Sequence, residues 1–99
     1  MVTEIAHITI EAASAADFEA AVAQAVPFFR AADGCRGFAL QRVLEDPTRY
    51  QLVVRWDTLE HHTVGFRNSE NFLEWRRLAS PFFAKPPVVE HCALVEQYF

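Results

Sequence analysis

The chain has 99 residues, of which 52% are apolar and nine are Phe, with a formal net charge of −4 and a pI of about 5.5. Its nine basic residues are scattered from Arg30 to Lys85 with no basic run. That excludes a nucleic-acid partner, whose phosphates need clustered cations. No apolar run approaches the length of a membrane span, and Glu4 and His7 interrupt any leader-like stretch, so no membrane partner and a cytoplasmic location are expected.

One domain over residues 1–99 is all the length allows. A globule of this size buries only about 65% of its unfolded surface. An aromatic content of 13% is high for so thin a core. The excess implies a partner surface or an internal cavity. Cys35 and Cys92 lack CxxC spacing, which argues against a zinc knuckle or a disulfide framework.

The first segment, Thr3 to Ala12, is rich in β-branched residues and alternates. Ala6, Ile8 and Ile10 fall on one face and Ile5, His7 and Thr9 on the other, which predicts a strand. Ser14 followed by Asp17 reads as a variant capping box, with an acid near the positive end of a helix. Phe18, Ala21, Val22, Ala25 and Phe29 then recur at helical spacing, with Pro27 expected to kink the helix and Asp33-Gly34 to end it. Gly37 to Glu45 and Arg49 to Trp56 form two strands joined by the turn residues Glu45-Asp46-Pro47-Thr48, hence an antiparallel hairpin.

Asp57, with Glu60 three residues later, is expected to cap a second helical region that contains His61 and His62 and is interrupted at Gly65 to Asn68. Ser69 caps a further helix, with Phe72, Trp75, Ala79 and Phe82 on one face and Pro86-Pro87 as its stop. Val88 to Tyr98 is the fourth strand. The order β-α-β-β-α-β predicts an α+β, ferredoxin-like plait with a four-stranded antiparallel sheet and helices on one face. Strand three carries Tyr50, Leu52, Val54 and Trp56 on one side, with Val53 between Gln51 and Arg55 on the other. Strand four is apolar on both sides, Cys92 and Leu94 alternating with Val89, Ala93 and Val95. The uncovered sheet face therefore calls for a second sheet, which a homodimer packed sheet to sheet supplies, leaving a cavity between sheet and helices.

Acid–base chemistry at neutral pH points first to the histidines. His61 and His62 are adjacent on a helix and diverge by about 100°, so they do not share an ion. With no HxxxH or HxH pair, no metal is expected. His62 lies four residues before Phe66, on the apolar side, and is the first candidate base. His7 and His91, in the first and last strands, are candidates behind it, and the sheet register decides which faces they occupy. Phe66, Phe72, Trp75, Phe82 and Phe83 form the densest aromatic cluster, readable either as core or as the wall of a site for a planar aromatic ligand. Arg76 is a candidate partner for that ligand's phenolate or carboxylate, whereas Arg77 reads as a solvated partner of Glu74. Arg36-Gly37-Phe38-Ala39 matches half of an RNA-recognition signature, but Leu40, Gln41 and Val43 break it and the stretch falls on the wrong strand.

Trp56-Asp57-Thr58-Leu59-Glu60-His61-His62-Thr63 and Phe66-Arg67-Asn68-Ser69-Glu70-Asn71-Phe72 resemble the antibiotic biosynthesis monooxygenase family. The likeness extends through Glu74-Trp75-Arg76, Pro81-Phe82-Phe83, Pro86-Pro87-Val88-Val89-Glu90-His91 and Gly34-Cys35-Arg36-Gly37-Phe38, and so covers essentially the whole chain. The resemblance implies a dimeric α+β barrel. Its members include cofactor-free oxygenases of phenols and quinols, and haem-degrading enzymes with an Asn on the first strand and a Trp and a His on the second helical region. Here Phe66 stands at the Trp position, Arg76 at the His position, and the first strand has no Asn. The implied activity is therefore a cofactor-independent monooxygenase acting on a small phenolic or quinol-type substrate. His62 would be the base, Phe66 and Trp75 the wall, and Arg76 the holder of the anion. The alternative is a non-catalytic dimeric barrel that binds a small apolar ligand or serves as an interaction module.

Overall fold

The computed structural model describes residues 1–99. Strand β1 (Val2–Thr9) leads into helix α1 (Ala15–Arg30), then β2 (Cys35–Arg42) and β3 (Arg49–Trp56). A π-helical turn (His61–Phe66), helix α2 (Glu70–Ala79), a short 3-10 turn (Ser80–Phe82) and β4 (Val88–Cys92) complete the chain. The sheet is antiparallel throughout in the order β2-β3-β1-β4, which is the ferredoxin-like plait the element order predicts.

Period-two alternation decides what is buried. Ala6, Ile8 and Ile10 of the first strand region and Tyr50, Leu52, Val54 and Trp56 of β3 lie beneath the helices, each at most 4% exposed. Helix α1 sets Phe18, Val22, Ala25 and Phe29 against them, and α2 adds Trp75 and Ala79. Phe29 is the hub of the aromatic packing: its ring lies 4.1 Å from Phe38, 4.8 Å from Phe66 and 5.3 Å from Trp75. α1 continues through Pro27 to Arg30.

Several expected boundaries and caps fall differently. β2 runs Cys35–Arg42 rather than Gly37 to Glu45, because Asp46 folds the loop by accepting hydrogen bonds from the Thr48 N–H (3.0 Å) and hydroxyl (2.7 Å). The Ser14 side chain makes no capping bond, although its carbonyl accepts from Phe18 N at 2.8 Å. Asp57 does not cap either. Its carboxylate is held by the Arg36 guanidinium at 2.7–3.1 Å, and Thr58 Oγ1 accepts from His61 N at 3.2 Å in its place. Ser69 caps α2 as expected, accepting from Phe72 N at 3.3 Å.

The largest departure is at the C-terminus. β4 stops at Cys92, and residues 93–99 have no strand partner. Leu94, Val95, Tyr98 and Phe99 there are 75% or more exposed. The edge of the sheet is instead prolonged backwards across Pro86-Pro87, where Ile10 bridges Phe83 and Ala84 N donates to Thr9 O at 2.8 Å. Two prolines cannot donate to a ladder, so pairing breaks at them and resumes on either side.

Candidate active site

At the β1–β4 edge, register and the π-turn bring three titratable side chains together. β1 and β4 pair Glu4 with His91, so both project to the helix-covered side. The π-turn replaces i→i+4 bonds by i→i+5 bonds, as in Arg67 N to His62 O at 3.1 Å, and directs His62 inward, 2% exposed. His61 points outward against Gly34, whose φ of +78° and lack of a Cβ make room for it: an added Cβ would stand 2.3 Å from His61 Cγ.

The His62 ring stacks on Trp56, with centroids 5.3 Å apart at 19°. Its Nδ1 is 2.8 Å from His91 Nε2, and its Nε2 is 3.2 Å from Glu4 Oε1. Glu4, 5% exposed, also accepts from Trp56 Nε1–H at 3.0 Å. Burial pushes the Glu4 carboxyl up to about 7 against the pull of the Trp56 hydrogen bond and the Arg67 charge. Burial likewise pushes His62 down to about 4, aided by Arg67 and His91, and lowers His91 with help from Arg67. A carboxylate–imidazolium pair would shift the two groups the other way. Desolvation is the largest cause of both shifts, so burial favours the neutral form of Glu4 below about pH 7 and of His62 above about pH 4.

His62 and His91 are thus joined in one cluster. His7 is on the opposite sheet face, its Nε2 2.8 Å from Glu90 Oε1. Arg76 is exposed on α2, its guanidinium 6.0 Å from the Phe72 ring centre. Phe66 and Trp75 are buried in the aromatic core at 4% and 8% exposure, whereas Phe72, Phe82 and Phe83 are half-buried around it. A cleft of about 370 Å³ opens between the end of α1 and the start of β2, lined by Val26, Arg30 and Cys35 to Phe38. Sequence reasoning passed over Glu4 and Arg67. Glu4 did carry a signal, since it precedes Ala6, Ile8 and Ile10 in the same alternating row and is the one charged member of it. Arg67 carried only its adjacency to Phe66.

The plait, with a largely buried Glu4–His62–His91 cluster at its β1–β4 edge, defines a ferredoxin-like α+β domain. Residues 1–78 match the antibiotic biosynthesis monooxygenase family, and the chain belongs to it. It is 38% identical over 91 residues to the uncharacterised YczJ protein of Bacillus subtilis (strain 168), spanning 92% of this chain and 96% of that one. A crystal structure from Bordetella bronchiseptica, described as a candidate antibiotic biosynthesis monooxygenase, is 50% identical with a TM-score of 0.94, over 96% of this chain and 97% of its own. A variant of SnoaB, a cofactor-independent oxygenase from Streptomyces nogalater, shares the fold at 16% identity and a TM-score of 0.79, over 98% and 95% of the two chains.

Proposed function

We propose that the protein is a cofactor-independent monooxygenase that oxidises a small phenolic or quinol-type aromatic with dioxygen, using His91 backed by His62 as its base. The observation that carries this reading is the His91 ring itself. Its Nε2 is engaged with buried His62, while its Nδ1 has no protein partner. No buried polar side-chain atom lacks a partner, so unpartnered Nδ1 is at least partly accessible and can take a substrate proton. His62, enclosed on both nitrogens, acts behind it.

Loss of the proton turns a phenol into an electron-rich anion that reduces dioxygen directly. In balanced form, a ring CH2 of the keto tautomer and O2 give C=O and water, with all four electrons coming from the substrate. The anion needs a positive neighbour. Arg67 is the first candidate, since its charge already acts on Glu4, His62 and His91. Arg76 beside Phe72 is the second, for a substrate resting on the half-buried Phe72, Phe82 and Phe83. His7, on the other sheet face, has no part in this scheme.

A homodimer through the open sheet face belongs to the same proposal. Ala39, Val53 and Ile5 form an apolar row across that face, and Leu94, Val95, Tyr98 and Phe99 beyond the end of β4 are uncovered as well. A second copy removes both from water.

His91→Ala is expected to cut oxygen uptake with an accepted quinol about 10²–10⁴-fold, and His62→Ala to act in the same direction. Unchanged uptake in both variants refutes the base assignment. Two observations favour the non-catalytic reading: Phe66 and Trp75 are taken up by the core, and no histidine lines the 370 Å³ cleft. Binding of phenols, read by tryptophan fluorescence, without oxygen consumption across a phenol and quinol panel would decide for that reading.

A further inference from the structure

Glu4 has no part in the scheme above, yet it completes a line of contacts. From the core outward run Trp56 Nε1, Glu4 Oε1, His62 Nε2, His62 Nδ1 and His91 Nε2, with gaps of 3.0, 3.2 and 2.8 Å between residues. His62 is 2% exposed and His91 half-buried, so the line reaches solvent at its His91 end.

A neutral imidazole has one N–H and one lone pair, so each ring in such a line is constrained by its neighbours. With Glu4 ionised, His62 Nε2 donates to it, His62 Nδ1 accepts from His91 Nε2, and His91 Nδ1 is left as a lone pair. With Glu4 protonated on Oε1, Trp56 still donates to it but both imidazole bonds reverse: the carboxyl donates to His62 Nε2, His62 Nδ1 donates to His91 Nε2, and His91 Nδ1 carries the hydrogen. Both arrangements satisfy every polar atom in the line, and they differ by one proton.

We propose that Glu4 is the terminus of a proton chain. A proton taken up at His91 Nδ1 displaces the Nε2 proton of His91 onto His62 Nδ1 and the Nε2 proton of His62 onto Glu4, converting a carboxylate to a carboxylic acid and leaving both imidazoles neutral. The substrate as source of that proton rests on the oxygenase reading; the chain itself rests on the contacts. A positive ring stacked on Trp56 and shut off from water is costly, whereas a buried neutral acid is not. Burial acts in the same direction, pushing the carboxyl up to about 7 and the His62 ring down to about 4. The charged or titratable neighbours are Arg67 after the π-turn, which favours the carboxylate and disfavours either imidazolium, and Cys35 on β2, whose thiol is held up by burial and by Glu4. Glu4 acts through the histidines and is a positioning residue.

The test is nitrogen NMR on the whole protein labelled in its histidines, where long-range proton–nitrogen correlations report which ring nitrogen carries hydrogen. As pH rises through about 7, His62 and His91 are expected to switch together from Nδ1–H to Nε2–H with one shared midpoint. Glu4→Gln keeps the shape and abolishes the switch. Trp56→Phe removes the donor that favours the carboxylate and moves the midpoint upward, which keeps the test intact should the Gln variant fold poorly. Overturning results are imidazolium formation on either ring across that range, a switch that survives Glu4→Gln, or a midpoint unmoved in Trp56→Phe. A switch without oxygen uptake upholds the chain and removes the oxygenase reading. Uptake without a switch overturns the chain alone.

Discussion

Replacing Glu4 by Gln separates the titration of this side chain from its packing. The folded carboxyl sits at about 7 against an ordinary 4.5, because burial disfavours the carboxylate. The folded chain therefore holds a proton that the unfolded chain releases between those values. Its stabilising contribution is complete below about pH 4.5 and is lost as pH climbs to about 7. A gap of about 2.5 pH units at about 1.36 kcal/mol each comes to about 3 kcal/mol, with little discount for solvent at 5% exposure. His62 works in the opposite sense: its stabilising contribution is present above about 6.5 and is lost as pH falls to about 4. His91, also lowered, adds to that loss.

In the native chain the Glu4 and His62 slopes offset each other between about pH 4.5 and 6.5. In Glu4→Gln the histidine slope stands unopposed, and the variant becomes acid-sensitive. Urea unfolding followed by tryptophan fluorescence across this range, at one fixed protein concentration, measures the difference. With a urea slope of about 1–3 kcal/mol per molar, the gap between the two midpoints should change by about 1–3 M. Parallel stability curves for the two proteins between about pH 4.5 and 7 would refute the burial argument for Glu4.

Phe29→Ala removes the ring shared by Phe38, Phe66 and Trp75 and should cost about 3–5 kcal/mol by chemical denaturation, whereas a loss below about 1 kcal/mol would mean that the aromatic cluster is not the core. Gly34→Ala should cost about 1–2 kcal/mol for the left-handed backbone and more for the collision with His61, and adding His61→Ala should recover only the second part; additive single effects would contradict the contact. Val53→Lys, in the middle of the open sheet face, should leave the fold intact by circular dichroism and convert a dimer to a monomer by sedimentation. An unchanged dimer would place the interface elsewhere.

Much of the fold was legible because its signals are local. Alternation in β1 and β3 and helical spacing from Phe18 to Phe29 are repeated by the burial pattern. The cap at Ser69 holds because its Oγ accepts from Phe72 N while its hydrogen goes to Phe66 O, both within a few residues, whereas Asp57 is drawn away by Arg36, a residue 21 positions earlier that only the folded sheet brings within reach. The fourth strand reads as long because Ala93 to Val95 is apolar, but strand length depends on a pairing partner, and β1 supplies none beyond Thr3. His62 was legible from its spacing to Phe66, and both are buried.

The excess of aromatic and apolar residues over what 99 positions can hide was visible in composition alone, and the plait in the order of residues, since each element declares its period within a few residues. Two histidines 29 positions apart and a glutamate at the second residue of β1's buried row become one hydrogen-bonded line only when register and the π-turn fix where each side chain points. Register is a long-range property, and shifting it by one residue sends a side chain to the other face of the sheet. That is why His91 joined His62 beneath the helices while His7, equally plausible by residue type, was turned to the open face beside Glu90.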